Sequence, residues 1–122
     1  MPYITQTARQ VIADGGVVET GGELNYLFTQ SIKAYLAGEI GYVGLADEVI
    51  GRIEKFVVHH GKSYTTFNTI LGALEGAVME LDRRKGVSDD VHRAFDVVKK
   101  GFYLITVAPY EDQKIKENGD VY

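Results

Sequence analysis

Apolar side chains recur every three or four residues through most of this chain, the spacing that lines one face of an α-helix. The pattern is strongest in "SYTTFNTILGALEGAVMELDRRKG". There Tyr64, Phe67, Leu71, Leu74, Val78 and Leu81 form a stripe that Ile70 and Ala77 widen. Leu24, Leu27, Phe28, Ile32, Tyr35 and Leu36 predict an earlier helix that starts at Thr20 or Gly22 and ends at Gly38 or Gly41. Leu45, Val49, Ile53, Phe56 and His60 predict one between them that stops at Gly61. Val91, Phe95, Val98, Phe102 and Ile105 predict a fourth, with Ser88 as its cap and Asp89 and Asp90 in its first turn, where the helix dipole favours acids.

Polar punctuation agrees with this reading. Ser63 stands at a capping position, and Arg83, Arg84, Lys85 and then Gly86 form a C-terminal signature. Thr5 or Thr7 caps a short first helix that ends at Gly15-Gly16, and Met1-Pro2 reads as extended. "FYLITV" at 102–107 has the composition of a strand, but the helical rhythm crosses Gly101 unbroken. A helix running on toward Pro109 is favoured, with a short strand as the alternative. The tail adds a short helix over "YEDQKIKE", with Asp112 and Lys116 paired four apart, and Asn118-Gly119 ends it. The expected fold is one all-α domain over 1–122, a compact bundle of about four main helices with a docked C-terminal segment. Tyr110, Ile115 and Tyr122 are its apolar anchors.

Composition narrows the function classes. With 122 residues, 45% of them hydrophobic, the chain can bury a real core. It has no cysteine, which excludes disulfides, zinc–thiolate sites and thiol nucleophiles. Thirteen basic against seventeen acidic residues give a net charge of −4, which argues against nucleic acid as a partner. The longest apolar run is too short for a bilayer, and the first residues have no basic stretch leading into an apolar one, so a cytoplasmic location is expected.

Candidate chemistry is sparse. His59 and His60 are adjacent, about 100° apart on a helix, a poor arrangement for one metal ion. His92 stands alone, so neither a metal nor a cofactor is expected. The helical acids lie mostly seven apart (Asp47 with Glu54, Glu75 with Asp82), and the one Glu-x-x-Asp, Glu117 to Asp120, crosses the helix-breaking Asn-Gly, whereas a magnesium-dependent nucleotide hydrolase would need acidic pairs three or four apart on facing helices. Ser31, Ser63 and Ser88 lie in no nucleophile motif, and "TGGELN" lacks the lysine of a phosphate-binding loop. No catalytic residue is assigned. Gly72 and Gly76 form a G-x-x-x-G, costly inside a helix unless another helix comes close, either within the chain or at a subunit interface. Gly44 and Gly51 are candidates for the facing notch. Arg83, Arg84, Lys85, Arg93, Lys99 and Lys100 crowd into one stretch, as helix-end charge or as a patch for a phosphate or an acidic partner.

Five blocks carry a resemblance. They are "PYI" at 2–4, "GELNY" at 22–26, "N-x-I-x-G-x-L-E" from Asn68 to Glu75, Arg83-Arg84, and "APYEDQKIKENGDV" from Ala108 to Val121. Together they resemble an uncharacterised family of short proteins from bacteria and their phages. In that family form the "RR" block runs almost directly into "APYED"; here residues 85–106 intervene. The resemblance implies a phage-type accessory protein whose tail is part of the fold, and it brings no settled activity. The leading expectation is a non-enzymatic, homo-oligomeric binding protein. Its partner would be a host or phage protein, or a small anionic ligand such as a nucleotide, by analogy with small phage proteins that sequester nucleotide signals. Candidate contacts are Asn25, Tyr26, Arg83, Arg84, Tyr110, Asp112 and Lys114, with Gly72 and Gly76 at the subunit interface. An all-α metal-dependent nucleotide hydrolase and a minor virion protein are the alternatives.

Overall fold

Thr20 sets the entry to the bundle. Its hydroxyl accepts from the Glu23 backbone N–H at 3.1 Å, while the Glu23 carboxylate accepts from the Glu19 N–H at 2.8 Å. One orphan donor of the first turn, the Glu23 N–H, is thereby satisfied, and the Glu23 side chain reaches back past the cap to Glu19, much as in a capping box. In the computed structural model, which describes residues 4–13 and 15–119, this cap opens α2 (Gly21–Leu36). Before it lies α1 (Gln6–Ala13), and after it come α3 (Tyr42–His60), α4 (Tyr64–Lys85) and α5 (Asp89–Phe102). A π-helical turn (Tyr103–Val107) then leads without a break into α6 (Ala108–Asn118). Among the described residues there is no strand, so the fold is all-α. Met1-Pro2, Tyr122 and the end of the tail block lie outside the described residues.

The stops follow from backbone chemistry. Gly61 and Gly86 take φ of 82° and 73°, a region that side-chain-bearing residues avoid, and each N–H returns to the carbonyl four residues back. Ser63 caps α4 through its hydroxyl, which accepts from the Thr66 N–H at 3.1 Å. Ser88 occupies the N-cap position of α5 but makes no side-chain capping bond, contrary to its expected role. The turn 86–88 is held from the other side, by the Asp82 carboxylate accepting from the Val87 N–H at 3.0 Å.

α4 runs through the middle and buries eight residues, among them Phe67, Ile70, Leu74 and Leu81. α2 lies against it and against α3, and α5 closes the bundle against both α3 and α4. Phe28, Leu45, Val49, Leu74 and Val91 are sealed from water at the centre. Each such side chain contributes about 1.5–3 kcal/mol of burial. The Ser31 hydroxyl, also buried, donates to the Glu48 carboxylate at 3.0 Å and ties α2 to α3.

The segment 102–107 is helical and not a strand, yet the three–four rhythm fails inside it. Ile105, expected on the stripe, is 78% exposed, and Val107 takes the inward place instead. A π turn bonds i to i+5, so it holds one residue more than an α turn and shifts the register by one place. Pro109 supplies the cause. A proline within a helix clashes with the carbonyl four residues before it and donates no hydrogen bond. The wider turn absorbs that conflict, with the Ala108 N–H bonding to the Tyr103 carbonyl five residues back.

The tail docks through one residue more than through three. The Tyr110 ring stands edge-to-face on Phe67 and Tyr64, with centroids 5.2 and 5.4 Å apart. Tyr110 and Ile115 are both partly buried, Tyr110 packs against the core, and α6 has no fully buried residue. One straight helix cannot turn side chains five apart onto the same surface. Gly119, with φ of 85°, ends α6 as expected.

Candidate functional site in the groove between α2 and α4

Small residues let α2 and α4 come close. A Cβ on Gly21 would sit 3.1 Å from the Thr69 methyl, and one on Gly76 would sit 3.0 Å from Asn25 Nδ2. The partner of the G-x-x-x-G is therefore α2. Gly44 lies against Ile40 of its own chain segment, and Gly51 opens onto nothing within 4 Å, so neither is the facing notch. Gly72, one turn before Gly76, also has nothing within 4 Å of a notional Cβ. Together these bare positions leave a groove of about 620 Å³ along the two helices.

Its lining joins separated parts of the sequence. Gly21, Gly22 and Asn25 come from the first turns of α2. Asn68, Thr69, Gly72, Ala73 and Gly76 form one side along α4, and Met79, Glu80 and Arg83 close its far end. Asn25 Nδ2 donates to the Ala73 carbonyl over a long 3.5 Å, which leaves the amide loosely held. The first-turn N–H groups of α2 have no intrahelical acceptors and give that end partial positive character.

At the Arg83 end a small ion network is already formed. Glu80 accepts from Arg83 Nη2 at 2.7 Å and from Arg84 Nε at 2.8 Å. The hydrogen bond from Arg83, with further help from Arg84, holds the Glu80 carboxyl below its usual range, and Glu80 raises the Arg83 guanidinium in turn. Two guanidinium groups share the Glu80 carboxylate at this end.

The structure brings only some of the expected contacts together. Asn25 and Arg83 line the groove, and Gly72 and Gly76 form its floor. Arg84 reaches it through Glu80. Tyr26, the next residue along, lies instead under the guanidinium of Arg9 at 5.4 Å. Tyr110 packs near the start of α4, on Phe67, about 24 Å along the axis from Arg83. Lys114 lies 5.4 Å over the Tyr110 ring and 3.6 Å from Glu117, while Asp112 is exposed on the same helix. Those three belong to a different surface.

Thr69, Asn68, Gly21 and Glu80 were not singled out as groove residues. Gly21 is visible in the "TGGE" cap, but its place beside Thr69 depends on the pairing of α2 with α4, which periodicity does not specify.

The crowded basic residues separate in space. Arg93 pairs with Asp90 at 3.6 Å, Lys99 with Glu75 at 3.3 Å, and Lys100 with Asp96 at 3.0 Å. Glu75 and Lys99 face a second, mixed-charge hollow of about 510 Å³ between α4 and α5. Asp82 pairs with His92 at 3.5 Å across the α4–α5 turn, so the Glu75–Asp82 set is engaged with bases. His59 and His60 were expected to point apart. Their rings instead stand edge-to-face with centroids 4.7 Å apart, and both reach the connector before α2, His59 at Glu19 and His60 at the Val18 carbonyl. His59 Nε2 lies 3.3 Å from Glu19 Oε1.

No helix among the described residues is long and apolar enough to cross a membrane. No curated protein and no solved structure matches this chain. Residues 1–91 match the family described as Domain of unknown function (DUF6899). That span holds Gly21 through Arg83, the whole lining of the groove, and stops short of the tail. The chain belongs to the DUF6899 family.

Proposed function

We propose that this protein is a non-enzymatic, oligomeric binding protein of phage-accessory type that takes a small anionic, nucleotide-like ligand in the α2–α4 groove. One observation carries the reading. Gly22 and Asn25 of the "GELNY" block, Asn68, Thr69, Gly72 and Ala73 of the "N-x-I-x-G-x-L-E" block and the first arginine of the "RR" pair lie far apart in sequence but line a single groove. Its volume falls within the range of small-molecule sites, roughly 300–1,000 Å³. The bare backbone at Gly72 admits close approach, Asn25 and Asn68 offer amide groups for base or sugar edges, and Arg83 offers a planar fork for phosphate. The helix start at Gly21 favours an anion as well. The single carboxylate in the lining, Glu80, is held by arginines, and an incoming phosphate would take its place on Arg83.

Self-association is the second half of the proposal. Val97 and Ile105 are exposed beside Ile50, around an apolar hollow of about 250 Å³ formed by α3, α5 and the π turn. A second copy of the chain is the proposed cover.

Native mass spectrometry of protein purified from cells tests both halves, because it reads mass and any retained small molecule together. The expected result is a multimer that carries an anionic ligand or takes up added nucleotides, and that loses it in Gly72→Val and Arg83→Ala. A monomer that takes up no nucleotide overturns the proposal. Retention undiminished in both variants moves the ligand elsewhere and overturns the groove assignment.

A further inference from the structure

The connector before α2 meets the end of α3 at a cluster of metal-ligating side chains. One oxygen of Glu19 and one nitrogen from each of His59 and His60 all lie within 4.8 Å of one another. A tetrahedral zinc ion with ligands at about 2.0–2.2 Å needs donor atoms about 3.3–3.6 Å apart. The Glu19–His59 pair, at 3.3 Å, already has that spacing. His60 brings the third donor atom, within 4.8 Å of the other two.

Two further features fit a cation. His60 Nε2 lies 2.9 Å from the Val18 carbonyl oxygen, an acceptor, so this nitrogen is the donor and Nδ1 carries the lone pair. Metal-binding histidines are commonly oriented in this way by a carbonyl on the far nitrogen. The ring also stacks on Phe56, with centroids 4.1 Å apart, which restricts its rotation. Both histidines stand in the last turn of α3, the negative end of the helix dipole. Arg52 and Lys55 line the adjoining hollow with His59 and oppose a cation there, so affinity should be moderate.

We infer that Glu19, His59 and His60 form a surface site for a zinc-class divalent ion. Two imidazoles and one carboxylate leave at least one coordination position for water or for a group on another molecule. The ion would clamp the connector at residue 19 to the end of α3. The ligand set also suits nickel and copper, which follow the usual affinity order.

Isothermal titration of zinc into untagged, chelator-stripped protein at neutral pH tests this site. The expected result is one ion per chain. Glu19→Gln, His59→Gln and His60→Gln should each weaken binding by about tenfold or more, in line with the loss of a ligand or its support. His92→Gln should bind as the wild type does. Acidification should release the ion, because protons compete for both imidazoles. A zinc-dependent rise in melting temperature should accompany binding and disappear in the three variants. Nitrogen-15 spectra of the imidazoles should show His60 shifting at Nδ1 on zinc addition. Absence of binding overturns the inference, and so does binding that survives the three variants or is lost equally in His92→Gln. Nucleotide uptake in the groove is read separately, so either result stands without the other.

Discussion

Gly72 and Gly76 share one face of α4 yet meet different surroundings, and that difference makes a stability prediction. Glycine inside a helix costs about 0.8–1.0 kcal/mol relative to alanine. At Gly72 an added methyl meets nothing within 4 Å, so Gly72→Ala should stabilise by nearly that amount. At Gly76 the methyl would press on Asn25 Nδ2, the far end of a movable side chain, and displace it from the Ala73 carbonyl. Gly76→Ala should therefore gain clearly less, or lose. Urea unfolding of the two variants decides it, and equal gains would mean that Asn25 imposes no constraint. Glu80 gives a pH prediction of similar locality. Its carboxyl is held below the usual range, so the folded state is favoured above that range and loses the contribution as the pH falls through the lowered value. Glu80→Gln should flatten the acid limb of a stability-against-pH profile slightly, since the pair is solvent-exposed. A profile that stays unchanged would assign the network no energetic role.

The π turn is the element that periodicity could not supply. Caps and glycine stops were legible because each has a local cause: Thr20 and Ser63 accept from backbone N–H groups three residues on, and Gly61 and Gly86 need positive φ. The stripe on α4 was legible because a long helix repeats its pattern over many turns. A single π turn leaves no repeat, and Pro109 reads as the end of a helix when the chain carries it inside one, just after the wider turn. The groove was illegible for another reason, since it depends on which helices are neighbours. A deletion test isolates the element. Removing Ile105 converts the turn to α spacing and keeps Val107 facing inward, but it brings the Pro109 ring onto a carbonyl. The deletion alone should destabilise strongly, by about 3 kcal/mol. The same deletion with Pro109→Ala should recover most of that loss. Melting curves of the two proteins check it, and a failure of Pro109→Ala to rescue would show that the proline does not cause the π turn.

At the scale of the whole molecule, the question is what α6 contributes to a bundle whose core closes without it. No residue of α6 is fully buried, and the DUF6899 match ends before it, yet Tyr110 sits on Phe67 and Tyr64 at the start of the central helix. Phe67 is itself a core residue, packed edge-to-face with Phe102 at 5.8 Å. The tail therefore acts as a lid over one end of the bundle. Each aromatic pair contributes about 0.5–1.5 kcal/mol beyond area burial. Truncation after Val107 should leave a folded, all-α protein that is less stable by about 1–3 kcal/mol, or about 5–10 °C in Tm. Tyr110→Ala should reproduce most of that loss. Ile115→Ala should reproduce little, because Ile115, unlike Tyr110, is not packed against the hydrophobic core. No residue of α6 lines the groove, so nucleotide uptake should survive truncation. Insoluble truncated protein would make the lid part of the core, and a Tyr110→Ala protein that melts like the wild type would move the docking energy to other residues of α6. Loss of ligand with unchanged melting would instead place the binding surface on Tyr110, Asp112 and Lys114 and not in the α2–α4 groove.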